Sequence, residues 1–276
     1  MWIAGNSGPF KIHELEISSP TGKGLRILHV SDLHFAPGQT AKAKFLKELA
    51  DLEPDLVINT GDNLGHKDAI NPALLALEPL RQFSGVFVNG SNDYRAPAPR
   101  NPLRYFMGPS SKSTTGVQLD TKRFESELIG SGWLNLNNQA GQLEIGGTRI
   151  GFLGLNDAHD GLEDLAGLPK QTATLQNVDI TIGVAHAPYL AVIDAFLEQR
   201  VQLMFAGHTH GGQICWPRQK ALITNCDLPT KYASGLSAWS DQNHQAMLHV
   251  SAGIGCSIYA PVRLFCPPSA TLITLS

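Results

Sequence analysis

Apolar and polar residues alternate from Phe10 to Ile17, a period of two that predicts a strand with one covered face. Leu25 to Val30 is a nearly continuous apolar run and predicts a buried strand, whereas Ala41 to Leu52 repeats its apolar residues at helical spacing. A second buried strand is expected over Asp55 to Asn59, a helix over Asn71 to Gln82 and a third strand over Gly85 to Asn89. The first third of the chain thus reads β-α-β-α-β, an alternation that calls for an α/β fold with parallel strands and right-handed crossovers. Such a sheet gathers the residues that follow its strands, here Ser31 to His34, Thr60 to Asn63 and Gly90 to Asp93, at one edge.

Beyond Tyr94 the pattern breaks into Pro, Arg, Ser and Gly around one aromatic knot at Tyr105 to Met107. A segment of that length, 94–121, is unusual as a bare connection and is expected to be a lid or substrate loop. A helix over Lys122 to Gly130 and short strands at Trp133 to Leu136, Gln142 to Ile145 and Thr148 to Leu155 suggest an antiparallel stretch. Buried strands at Asp179 to Ala185 and Gln202 to Ala206 flank a helix over Tyr189 to Gln199, and strands at Met247 to Ser251 and Ala270 to Leu275 end the chain. No internal repeat or low-complexity tract interrupts it, and 276 residues suit one domain over 1–276.

Composition adds two constraints. A formal net charge of -3 offers no general attraction to nucleic acid or to an anionic membrane, so an anionic ligand needs a local positive centre such as metal. Cys215, Cys226, Cys256 and Cys266 show no CxxC spacing, which fits buried thiols in a reducing compartment. The start at Met1 lacks a basic region and an export-length apolar run, and no later run reaches membrane-spanning length, so a cytoplasmic protein is expected.

Candidate chemistry lies in the loops after the strands. Asp32-Leu-His34 can turn a carboxylate and an imidazole toward one cation, although Asp-x-His alone is usually an accident of the surface, as a second copy at Asp157-Ala-His159 illustrates. Asp62 follows the next strand, and Gly61 before it permits a tight turn. The third strand runs into Gly90-Ser-Asn-Asp93, His186 stands before Ala187 and Pro188, and Gly207-His-Thr-His210 sets two imidazoles two residues apart. Each histidine by itself reads as an ordinary polar residue; five strand-end loops in succession do not.

The order Asp-x-His, Gly-Asp, Gly-x-Asn, His, Gly-His-x-His resembles that of the calcineurin-like metallophosphoesterases, from about Leu25 to Ser276. The stretches Asn225 to Pro229, Ser251 to Gly255 and Pro261 to Arg263 look like an actinobacterial branch of that family. The resemblance implies a two-sheet α/β/β/α sandwich with a dinuclear metal site at the strand ends. It assigns Asp32, His34, Asp62 and His210 to one divalent ion and Asp62, Asn92, His186 and His208 to the other, with Asp62 bridging. Manganese, iron and zinc all suit such ligands. The implied reaction is hydrolysis of a phosphodiester, phosphomonoester or phosphoanhydride by a metal-bridging hydroxide.

The third motif departs from the family, which usually has Gly-Asn-His-Asp or Gly-Asn-His-Glu there. Matched position by position, Ser91 replaces the ligand Asn and Asn92 the His; shifted by one, Asn92 is the ligand and Asp93 stands where the His was. The shift is favoured, because an amide oxygen binds a hard cation better than a neutral hydroxyl does. Either way the histidine that assists leaving-group departure is missing, and Asp93, Tyr94 and His66 are the candidates to replace it. The expected substrate is a phosphorylated small molecule or lipid headgroup, drawn in by the arginines of the 94–121 segment. A peripheral membrane contact is left open, and no basic, aromatic-lined groove for nucleic acid is evident. The rival readings are a metal-binding scaffold with weakened catalysis and a nuclease of the same family.

Overall fold

The computed structural model describes residues 2–99, 116–218 and 220–276. In chain order the elements are β1 (Trp2–Ala4), β2 (Lys11–Ile17), β3 (Arg26–Val30), α1 (Thr40–Ala50), β4 (Leu56–Asn59), α2 (Ile70–Leu77), β5 (Ser84–Phe87), α3 (Ser91–Tyr94), α4 (Thr121–Gly130), β6 (Leu134–Asn135) and β7 (Ala140–Ile145). They continue with β8 (Thr148–Gly154), α5 (Leu168–Thr172), β9 (Ile180–Val184), α6 (Leu190–Glu198), β10 (Leu203–Ala206), β11 (Cys215–Trp216), β12 (Lys220–Ala221), β13 (Gly235–Ser240), β14 (Gln245–Val250), β15 (Val262–Leu264) and β16 (Ser269–Leu275).

Two six-stranded sheets result, ordered β2-β16-β3-β4-β5-β6 and β13-β14-β10-β9-β8-β7. The apolar runs explain the layering, because successive side chains of a strand point to opposite faces. Ile27, Leu56, Ile58, Val86 and Ile273 of the first sheet meet Ile150, Phe152, Ile182, Val184 and Phe205 of the second in a core between the sheets. The alternate residues Leu28, Val30, Val57 and Phe87 face Phe45, Leu46 and Leu49 of α1, Leu74 and Leu77 of α2, and Phe124 and Leu128 of α4. On the far side Met204, Leu248 and Val250 pack against Val192, Ile193 and Phe196 of α6. This is the expected α/β/β/α sandwich.

β3, β4 and β5 are parallel neighbours, as are β9 and β10, so the loops that follow them open at the sheets' edge. The Gly255 N–H, after β14, donates to the Asp32 carbonyl, after β3, at 2.7 Å and ties the ends of the two sheets together, while the Gly207 N–H donates to the His186 carbonyl at 2.8 Å and joins the ends of β10 and β9.

Two expectations need correction. The antiparallel stretch is confined to the β7–β8 hairpin, since β6 lies parallel to β5 in the first sheet. α2 stops at Leu77 rather than Gln82, as Pro79 has no N–H with which to continue the helix. Most of the expected lid, including Arg100, Arg104, Tyr105, Phe106 and Lys112, lies outside the described residues. Its two ends pair with each other, the Ala96 N–H donating to the Val117 carbonyl at 2.9 Å and the Leu119 N–H to that of Tyr94 at 2.9 Å. Among the described residues no helix is long and apolar enough to cross a membrane.

Candidate metal centre

The strand-end loops converge. One ligand atom each from Asp32, His34 and His210 falls within 4.8 Å of the others, and the same holds for Asp32, Asp62 and His186. Asp62 stands between the two groups: its Oδ2 lies 3.4 Å from His34 Nε2 and 3.6 Å from His186 Nε2. On the other side His210 Nε2 lies 3.6 Å from Asp32 Oδ1 and 3.2 Å from His34 Nε2. His208 completes the cluster, its ring centroid 5.3 Å from that of His186.

Hydrogen bonds behind the rings decide which nitrogens face inward. His186 Nδ1 sits 2.7 Å from the Thr60 carbonyl, which can only accept, so Nδ1 carries the proton and the neutral ring presents Nε2 as a lone pair. By the same logic His208 Nε2 donates to the Asn225 carbonyl at 3.2 Å and presents Nδ1, while His210 turns Nε2 inward with its Nδ1 3.2 Å from both the Gly255 carbonyl and the Arg263 Nη2. His186 Nε2 and Asp32 Oδ1 are buried and have no hydrogen-bond partner. Lone pairs and carboxylate oxygens aimed at one another in a dry cleft fit divalent cations and little else.

The backbone is bent to make this possible. Asp32, His34, Asp62, His208 and His210 all have positive φ, between 41° and 68°, a region that costs a side-chain-bearing residue on the order of 1–3 kcal/mol. Glycine supplies the clearance. A Cβ on Gly90 would collide with Asp62 Oδ1 and stand 2.7 Å from His186 Nε2, and one on Gly207 would collide with Ser31 Oγ and approach Asp32 Oδ2 to 2.5 Å.

Residues 25–212 match the family model described as calcineurin-like phosphoesterase. The chain belongs to that family. It is similar to the uncharacterized metallophosphoesterase YkoQ of Bacillus subtilis, 24% identical over 259 residues that span 91% of this chain and 85% of the relative. It is also similar to the UDP-2,3-diacylglucosamine pyrophosphatase LpxG of Chlamydia trachomatis, 26% identical over 288 residues covering 91% and 83%. Among solved structures, a 5'-nucleotidase precursor from Thermus thermophilus shares the fold with a TM-score of 0.51 at 13% identity, over 91% of this chain and 54% of that one. Family and cluster together make this chain a metal-dependent hydrolase of phosphate ester or anhydride bonds, with a site suited to two cations.

Within the phosphoesterase site the third motif sits on α3. The Asn92 N–H donates to Asp62 Oδ1 at 2.8 Å and its amide Nδ2 to Asp62 Oδ2 at 2.7 Å, which brings Asn92 to the bridging position. Asp93, the expected stand-in for the histidine, is fully buried and turned the other way. Its Oδ2 accepts from the Asp62 and Gly90 N–H groups at 2.8 and 3.0 Å and its Oδ1 from that of Asn63 at 2.8 Å, so Asp93 holds the Asp62 loop. Tyr94 donates its hydroxyl to Asn156 at 2.7 Å, and burial pushes it up to about 12. His66 is half-exposed, and its Nδ1 accepts from the Asp68 N–H in its own turn.

Two contributors were given no role by the sequence reading, and a third was set aside there. Lys42, completely buried, donates to the carbonyls of Leu33 and His34 at 2.5 and 3.4 Å, bracing the Asp32 loop from below. Arg263, equally buried, donates to the carbonyls of His210, Ala252 and Gly255 at 3.2, 2.7 and 2.5 Å and thereby clamps the histidine loop. His159, set aside in the sequence as part of a second Asp-x-His, lies 4.8 Å from the His208 ring at a tilt of 40°, with Nδ1 3.1 Å from the Tyr189 hydroxyl. Charged residues such as Lys42 and Arg263 read as surface in a sequence; only their packing between loops reveals them.

Burial works against a charged His186, but the carboxylates of Asp62, Asp32 and Asp157 outweigh it and raise the imidazole to about 9 in the metal-free protein. At pH 8 His186 therefore carries a proton that a cation must displace. Calorimetric titration with manganese, in pairs of buffers of different ionisation heat, is expected to show release of about one proton more at pH 8 than at pH 10. Equal release at the two pH values, or a buffer-independent heat at pH 8, would contradict it.

Proposed function

We propose that the chain hydrolyses phosphoanhydrides or activated phosphodiesters, substrates whose leaving groups depart without a strong protein acid. The observation that carries this reading is the third motif: Asn92 occupies the cleft beside Asp62, while Asp93 is consumed by backbone N–H groups. Asp32, His34, Asp62 and His210 would hold one cation, and Asp62, Asn92, His186 and His208 the second. Bound there, the two cations supply Lewis-acid charge for the phosphoryl oxygens and lower the pKa of water toward neutrality. The protein's own share is positional. Thr60 and Asn225 fix the tautomers of His186 and His208, and Asn92 holds the Asp62 carboxylate in the bridging orientation. The Chlamydia relative is named as a pyrophosphatase, which accords with an anhydride substrate.

A general acid is typically worth about 10²–10⁴-fold, so turnover of aryl and alkyl phosphodiesters should fall steeply as leaving-group pKa rises, with Asp62→Asn inactive throughout. A flat dependence would show that another group donates the proton.

A second reading, a headgroup-bearing substrate met at an anionic membrane surface by a cytoplasmic protein, rests on β15 and the chain entering β11, which meet in a single bridge. Leu264 pairs with Ile214, and the inward residues Arg263 and Cys215 both reach the His210 loop. By alternation Trp216 and Val262 point outward, 64% and 40% exposed, and Arg218 and Lys220 beside them are exposed as well. No Asp or Glu occurs in 213–226 or after Asp241. An exposed aromatic and two cations in one short stretch suit an anionic lipid interface. Sedimentation with vesicles containing phosphatidylserine should retain the wild type and lose the Trp216→Ser/Lys220→Glu variant. Equal retention on neutral phosphatidylcholine would argue against a headgroup-directed contact.

A further inference from the structure

Behind Asp32 a row of polar side chains crosses the core between the sheets. Ser31 Oγ lies 2.6 Å from Asp32 Oδ2, Thr60 Oγ1 2.6 Å from Ser31 Oγ, His29 Nε2 3.0 Å from Thr60 Oγ1, and His249 Nδ1 2.7 Å from His29 Nδ1. All five residues are buried, from 0% to 2% exposed. His29 belongs to β3 of the first sheet and His249 to β14 of the second, so the last link joins the two sheets, with Phe205 edge-on to His29 at 5.2 Å. None of this was visible as chemistry in the sequence, where His29 and His249 interrupt apolar runs.

The geometry points to a one-way hydrogen-bond relay, His249 to His29 to Thr60 to Ser31 to Asp32, that positions the Asp32 carboxylate for metal; His29 and His249 are its positioning residues. The direction follows from donor counting. A metal-binding carboxylate only accepts, so Ser31 must donate to it. The single Ser31 proton is then spent, and the Ser31 oxygen has to accept from Thr60. Thr60, its own proton spent, accepts from His29, which therefore carries its proton on Nε2. A neutral His29 then has a lone pair at Nδ1, and His249 must donate to it from Nδ1. Burial disfavours the charged form of both rings, holding His29 well below its ordinary value and His249 at about 3.

The consequence appears at the far end. Asp32 Oδ2 accepts from Ser31 and from the His208 N–H at 3.1 Å, and Oδ1 is left bare toward His210. The relay thus fixes one rotamer of Asp32, and its aligned dipoles favour the anion. Thr60 serves both halves of the centre, since its carbonyl holds His186 while its hydroxyl stands in the relay.

This inference rests on the metal-centre reading, and one pair of measurements separates them. ¹⁵N-edited NMR of the intact protein should find His29 as the Nε2–H tautomer and His249 as the Nδ1–H tautomer, with or without metal. Chelator competition with manganese should show about a 10-fold loss of affinity for His29→Leu, the scale on which partners behind a ligand act. His29→Gln, whose amide can donate to Thr60, should recover most of it. Should His29→Leu fail to fold, the wild-type tautomers still decide. His29 protonated on Nδ1, or a folded His29→Leu with unchanged affinity, overturns the relay alone; wild-type protein that binds no manganese overturns the metal centre with it.

Discussion

Asp32 and Asp62 are shut into a cleft from which water is largely excluded, within reach of four imidazoles whose outer nitrogens are mostly committed to backbone carbonyls. An uncompensated carboxylate in such surroundings is expensive. The two respond differently: burial and the charge of Asp62 raise Asp32 to about 6, whereas His186 and His34 overcome the same burial at Asp62 and hold it at about 2. In the metal-free protein a proton on His186 supplies part of the missing positive charge. Much of the surrounding architecture can be understood as the means of keeping these groups together until a cation takes its place.

Those means are layered. The first is backbone: five candidate ligands with positive φ, and glycines where a Cβ would collide with the carboxylates. The second is a pair of buried basic side chains, Lys42 under the Asp32 loop and Arg263 under the His210 loop, each donating to carbonyls of the segments that carry ligands. The third is the intersheet core, which sets the distance between the β3–β4–β5 edge and the β9–β10 edge. Strain of a few kcal/mol at such turns is tolerable because the packed sheets on both sides leave the loops little choice.

The sheets were legible from the sequence where apolar runs were long enough, as at Leu25 to Val30 and Asp179 to Ala185. β11, β12 and β15 were not, being two or three residues long and set by pairing rather than by pattern. Five of the candidate ligands could be named because they stand directly after strands in parallel neighbours, a position that topology alone converts into proximity. Asp93 was harder. Its partners are backbone N–H groups of a loop some thirty residues away, which no local pattern discloses, so a residue that braces the site could be taken for one that faces it.

The centre stands or falls on two cations sharing Asp62. Anomalous diffraction from crystals grown with manganese measures this directly, and two peaks are expected. One should touch Asp32, His34, Asp62 and His210, and the other Asp62, His186 and His208. A single peak that leaves His186 and His208 without a cation, or none at all at saturating manganese, would contradict it.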